Sequence, residues 1–238
     1  MTKTDPPFST AVTTGASSGE SAPESTQPEA LGGAATRLTR AATNGAAGAF
    51  ARRKWRYRGL DRPSFADRCR PGQTSVWDFP RPPQMRPERR QAIVQWGATQ
   101  LATSDKALVV AETAGAPTVY FPTRDVRTNL LVRVSDTSVC EWKGVATSYA
   151  LNGSLHDEES PSAGSEADQS ARISAWSYDD PRDGYEILVG HIAFHPRAPL
   201  ICMLGGIVVS AQAGGLYGGW VTPDLAGPIK GADRTSWW

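Results

Sequence analysis

Cys140-Glu141-Trp142-Lys143-Gly144 sets a soft nucleophile, an indole, an ammonium and a flexible hinge in one short run. Cys140 could act as a nucleophile or redox thiol, with His191 as base and Lys143 stabilising developing negative charge. A reactive thiolate needs an electropositive, partly exposed setting. The plainer reading of Cys140 is a small buried hydrophobe, as most free cysteines are. Read as one strand from Cys140 to Ala150, the segment sorts by period two. Cys140, Trp142, Gly144, Ala146 and Ser148 then share one face, and Lys143 points to the other. On that pattern Lys143 does not act directly on Cys140 unless a bulge re-aims it, and a strand glycine such as Gly144 often marks a bulge.

Aromatic residues suggest a second kind of chemistry. Tyr120, Trp142, Trp176, Tyr178 and Trp220 could wall an apolar groove, with Lys143, His191, Asp125 and Lys230 as sparse polar groups. Mostly apolar walls with few orienting groups describe a small-molecule pocket. Trp142 and Trp176 could equally be core residues, and Asp125 a turn cap or a partner for Arg127. His191 and His195 stand four apart, but position 192 is Ile and the surrounding residues alternate like a strand. Four residues of strand span roughly 13 Å, too far to share one metal. No metal and no cofactor is expected.

These residues need elements to position them, and the chain beyond about residue 90 reads as β throughout. The expected strands are Gln91–Trp96, Ala107–Glu112, Val119–Phe121, Asp125–Val134, Cys140–Leu151, Ile173–Tyr178, Tyr185–Phe194, Leu200–Met203 and Ile207–Ser210. Short strands at this spacing, punctuated by turns, indicate an all-β, mostly antiparallel fold. Val76–Pro83 is expected to be extended, since Pro80, Pro82 and Pro83 forbid helix. The glycine-rich run over residues 214–231 reads as a meandering strap pinned by Tyr217 and Trp220.

Composition sets the limits. Residues 1–47 are Ser, Thr, Ala, Gly and Pro with few large apolar groups, and are expected to be a disordered tail. Residues 48–75 form a basic and aromatic arm, and 76–238 one domain with a mobile acidic loop at 152–170. Residues 36–58 could include a short, weak helix. Arg52, Arg53, Lys54, Arg56 and Arg58 interleave with Trp55 and Tyr57. That mix could grip phosphates and stack on bases; the favoured reading is an arm docking its two aromatics on the domain. The net charge of +1 argues against bulk nucleic-acid affinity. Three widely spaced cysteines give no disulfide framework and no zinc signature, pointing to a reducing, cytoplasmic setting. No secretory h-region and no run of about 18 apolar residues is present, so no membrane partner is expected. Gly15-Ala16-Ser17-Ser18-Gly19 fits a nucleophile-elbow pattern but lacks the flanking strand and helix that the motif requires.

Spaced runs along the chain carry a resemblance. Val76-Trp77-Asp78-Phe79-Pro80-Arg81-Pro82-Pro83, Tyr120-Phe121-Pro122, Cys140-Glu141-Trp142-Lys143-Gly144-Val145-Ala146, Ala175-Trp176-Ser177-Tyr178, His191-Ile192-Ala193-Phe194, Tyr217-Gly218-Gly219-Trp220 and Gly227-Pro228-Ile229-Lys230-Gly231 stand in order. Over residues 76–238 the chain resembles the bacterial domain of unknown function family numbered 427, whose label evokes nucleotidyltransferases. The resemblance implies a β-tent-like fold, two small sheets meeting at an angle over a groove, akin to the thalidomide-binding domain of cereblon and methionine sulfoxide reductase B. Many such relatives hold zinc through two Cys-x-x-Cys pairs; neither pair is present here, so no zinc carries over. Nucleotidyl transfer usually needs paired carboxylates for Mg²⁺, and no such pair stands in a motif. The favoured reading is a module binding an unknown small molecule. An enzyme built on Cys140, or a nucleic-acid accessory protein using the basic arm, is the alternative.

Overall fold

The computed structural model describes residues 55–153, 173–231 and 235. The expected tail at 1–47, the helix before residue 55 and nearly all of the acidic loop lie outside these residues. The strands are β1 (Thr74–Ser75), β2 (Gln84–Pro87), β3 (Ala92–Trp96), β4 (Thr99–Ser104), β5 (Leu108–Ala111), β6 (Thr118–Pro122), β7 (Leu131–Cys140), β8 (Gly144–Leu151), β9 (Ala175–Ser177), β10 (His191–Phe194), β11 (Leu200–Leu204), β12 (Ile207–Val208), β13 (Ser210–Ala211), β14 (Trp220–Val221) and β15 (Leu225–Ala226). The fold is all-β. Helical structure among the described residues is confined to 3₁₀ turns of three residues each, at Val76–Asp78, Thr123–Asp125, Thr128–Leu130 and Glu186–Leu188.

A seven-stranded antiparallel sheet runs β2-β5-β6-β10-β9-β8-β7, and a four-stranded one runs β12-β11-β3-β4. Period-two alternation gives the larger sheet two apolar faces. Val109, Val119, Phe121, Ala175, Ile192 and Phe194 point one way and pack with Ala92, Val94, Leu101, Leu200, Cys202 and Leu204 of the smaller sheet. Their neighbours Leu108, Val110, Tyr120, Ala146, Trp176 and Ala193 point the other way into a second apolar cluster. The first face closes the core and the second is the floor of a cavity.

The sequence expectations are corrected in three respects, at four segments. Val76–Asp78 is a 3₁₀ turn whose entry Ser75 caps, its hydroxyl accepting from the Trp77 backbone N–H at 3.3 Å. Asp125–Val134 begins in two 3₁₀ turns and becomes strand only at Leu131, and Tyr185–Phe194 begins in another and becomes strand at His191. The third matters most. Cys140–Leu151 is not one strand: Glu141, Trp142 and Lys143 form a turn, and Cys140 pairs with Gly144 across it. Gly144 has φ +103°. A three-residue hairpin loop commonly ends on such a residue, which only glycine adopts without strain.

The chain from Trp55 packs back on the sheets. Tyr57 joins Val76, Trp77 and Phe79 in a third apolar cluster, its ring edge-on to Trp77 at 5.3 Å. The buried Arg81 guanidinium holds this junction. Its Nε meets Glu112 Oε1 at 2.8 Å, Nη2 donates to the Thr113 carbonyl at 2.8 Å and Nη1 to the Tyr57 carbonyl at 3.1 Å.

Candidate functional site

On the second face of the seven-stranded sheet lies a cavity of about 490 Å³. Alternation aims its floor. Val110 and Glu112 from β5 and its end, Thr118 and Tyr120 from β6, Ser148 from β8, Trp176 and Tyr178 from β9 and its end, and His195 one residue beyond β10 all line it. Cys140, Glu141 and Lys143 close one side from the β7–β8 hairpin, Trp55 adds a wall from the arm, and residues 215–219 with Lys230 cover the rest.

The floor carries a polar network. Trp176 Nε1 donates to the Tyr120 hydroxyl at 3.2 Å, and the Tyr178 ring lies against that of Tyr120 with centroids 6.5 Å apart. Burial raises the Tyr120 and Tyr178 hydroxyls above the usual phenol range, partly offset by the Lys143 charge, so both are neutral near pH 7. Burial works against the Lys143 ammonium, but the acidic groups of Cys140, Tyr178 and Tyr120 outweigh it and hold its pKa above the ordinary lysine value. Lys143 Nζ stands 5.7 Å from the Tyr178 ring centroid, a cation over a π face.

His195 packs on Trp176 with ring centroids 4.5 Å apart. Burial, then the Arg197 charge, lowers its pKa to about 4, so the imidazole is neutral near pH 7. Arg197 is tied to the wall, donating to the Gly215 carbonyl at 3.1 Å and the Ile173 carbonyl at 3.0 Å. Lys230 Nζ lies 4.2 Å from the Trp55 ring and 4.9 Å from the Tyr217 ring, and Arg81 lies 4.3 Å from the same Trp55 ring. Gly218 and Gly219 let the strap come this close. A Cβ at Gly218 would overlap the Trp176 ring, and one at Gly219 would overlap Gln212.

The cavity thus gathers Tyr120, Cys140, Lys143, Trp176, Tyr178 and Lys230 of the sequence-derived set. Because Lys143 sits in a turn, it shares the cavity with Cys140 instead of pointing away, which corrects the single-strand parity. Trp142 and Trp220 do not line the cavity. Trp142 is 6% exposed within the second apolar cluster, its indole N–H buried without a hydrogen-bond partner among the described residues. Trp220 is 1% exposed in the main core and donates to the Phe194 carbonyl at 3.1 Å. Asp125 accepts from the Ser104 hydroxyl at 2.6 Å, away from the cavity. His191 lines a separate hollow of about 300 Å³ with Tyr149, Ser177 and Asp179, so it is not placed with Cys140.

Sequence reasoning missed His195 and Arg197. Continuing the alternation from Ala193 by two residues would have placed His195 on the Trp176 face. Trp55 gave a signal only as part of a basic run. Among the described residues, no group of three His, Cys, Asp or Glu side chains is placed to hold a metal ion, and no helix is long and apolar enough to cross a membrane.

An all-β chain with an aromatic cavity on one sheet face is thereby defined. The family model described as a domain of unknown function (DUF427), labelled NTP_transf_9, matches residues 84–204, and the chain belongs to this family. The matched span holds the cavity floor and the hairpin; Trp55, the strap and Lys230 lie outside it. No curated protein matches the chain.

Proposed function

We propose that the protein is a small-molecule-binding module whose ligand lies in the cavity bounded by Trp55, Tyr120, Trp176 and Tyr217. On this reading residues 76–238 act as one β-tent-like domain, the two sheets are the tent walls, and the arm over residues 48–75 contributes Trp55 to the binding site. The observation that carries it is the convergence of four elements of aromatic wall on a volume of about 490 Å³, within the usual range of ligand pockets. Three free cysteines agree with a reducing, cytoplasmic setting. Native mass spectrometry of the full chain should show a co-purified small molecule, or a panel of planar aromatics should raise its melting temperature. Trp176→Leu should remove the adduct or the shift. No adduct and no shift, or a shift that Trp176→Leu leaves intact, would sink the reading.

A second reading rests on Cys140 and Lys143 facing one cavity. Cys140 would be the nucleophile, Lys143 would stabilise negative charge, and neutral His195 would replace His191 as the base. Iodoacetamide should then modify Cys140 well below about pH 8, ahead of Cys69 and Cys202. An inert Cys140 in the folded protein removes this reading.

A further inference from the structure

Lys143 has an unusual set of neighbours for a cation lining a cavity. Its ammonium makes no hydrogen bond and no ion pair with the described residues; it faces the Tyr178 ring, two neutral phenols and the Cys140 thiol. The cavity's two carboxylates are committed elsewhere. Glu112 is paired with Arg81 at 2.8 Å, and Glu141 accepts the Trp55 indole N–H at 2.9 Å. A partly buried ammonium carries three donors, and a π face satisfies only part of their demand. The acceptor that best completes such a site is an anion, through short charge-assisted hydrogen bonds. The surrounding charge agrees: Lys230 and Arg197 add positive potential at the walls, and the Arg81 charge cancels that of Glu112.

We propose that the ligand is a planar aromatic molecule bearing an oxyanion, with its ring against Trp176 and its oxyanion on the Lys143 ammonium. This rests on the reading of the cavity as a small-molecule site. The oxyanion is a carboxylate or a phosphate, which the Lys143 ammonium meets with the same donors. Neutral Tyr120 and Tyr178 hydroxyls add further donors beside it.

Isothermal titration of the full chain with 1-naphthoate, 1-naphthyl phosphate, 1-naphthamide and 1-naphthylmethylammonium tests it. At least one oxyanion should bind about tenfold or more tightly than the amide, and the ratio between the two oxyanions tells carboxylate from phosphate. The advantage should shrink as salt rises. Lys143→Met should abolish it without changing affinity for the amide, and Lys143→Arg should retain most of it. Equal binding of amide and oxyanion, a preference for the ammonium, or an oxyanion preference surviving in Lys143→Met would overturn the assignment while leaving the cavity reading standing. Failure of all four compounds to bind would overturn both. Should Lys143→Met not fold, the wild-type ratio of oxyanion to amide affinity still decides.

Discussion

The Trp55 indole N–H donates to the Glu141 carboxylate at 2.9 Å, and through that bond the arm is fastened to the β7–β8 turn. Two cations, Arg81 and Lys230, stand over the same indole. Trp55 is therefore a wall of the cavity fixed by charge on several sides, not an incidental aromatic in a basic run. Glu141→Gln keeps the acceptor and removes its charge. It should weaken this fastening by about 1 kcal/mol, since a hydrogen bond to a charged group is worth somewhat more than a neutral one. Trypsin cleavage after Arg56 and Arg58 should accelerate in the variant while the global melting temperature barely moves. Unchanged cleavage would show that Glu141 does not hold the arm.

Gly218 fits where no side chain could. Its backbone rests on the Trp176 ring, and a Cβ there would overlap that ring. Because the obstacle is a large side chain in a packed wall, Gly218→Ala should destabilise the protein by about 2 kcal/mol, as overpacking typically does. Adding Trp176→Leu should give the methyl room, so the double variant should be more stable than additivity of the singles predicts. Additive melting curves would place the cost elsewhere.

Arg81 offers a larger test. Its guanidinium side chain is fully buried and serves Glu112 together with two backbone carbonyls, those of Thr113 and Tyr57. Arg81→Met removes one partner from each of these and leaves them without a donor, at a cost of about 3–5 kcal/mol. Arg81→Met with Glu112→Gln should recover only part of the loss, because the carbonyls remain unserved. Urea denaturation of both variants measures this, and full recovery in the double variant would assign the whole effect to the ion pair.

Much of the architecture was legible because alternation is local. Ala92 and Val94, or Val109 beside Val110, declare their faces from the sequence alone, and the all-β class follows from such runs. The hairpin at 141–143 was not legible in the same way. Glu, Trp and Lys carry no turn chemistry, and the one signal, Gly144, also fits a bulge. That ambiguity puts Lys143 on the wrong side, whereas Ala146 and Ser148 keep the parity expected of them, because the loop pairs Cys140 with Gly144 and leaves β8 in phase with β7. Trp142 and Trp220 failed as groove residues for a different reason: an indole suits a core as well as a wall, and only packing distinguishes the two. His191 and His195 looked equivalent by spacing. What separates them is which end of a four-residue strand abuts Trp176, a tertiary fact.

That difference gives His195 a measurable signature. Burial and the Arg197 charge depress its folded pKa to about 4, against roughly 6.5 in an unfolded chain. Above about pH 6.5 both states hold the imidazole neutral, so it contributes no slope. Between 6.5 and 4 the unfolded state binds the proton first, so stability falls as pH falls. Below about 4 both states are protonated and the slope from this group ends. The loss across the window amounts to at most about 3 kcal/mol. Carboxylates such as Glu88 and Asp224, whose pKa values are held low in the fold, add their own acid loss, so the comparison must be between variants. His195→Gln keeps a polar planar side chain but cannot titrate here. Its stability, followed by urea denaturation at intervals from pH 7 to pH 4, should fall less steeply than that of the wild type, with the two curves parallel above pH 6.5. Parallel curves throughout would mean that His195 titrates normally and that the cavity is wetter around Trp176 than the packing of the two rings implies.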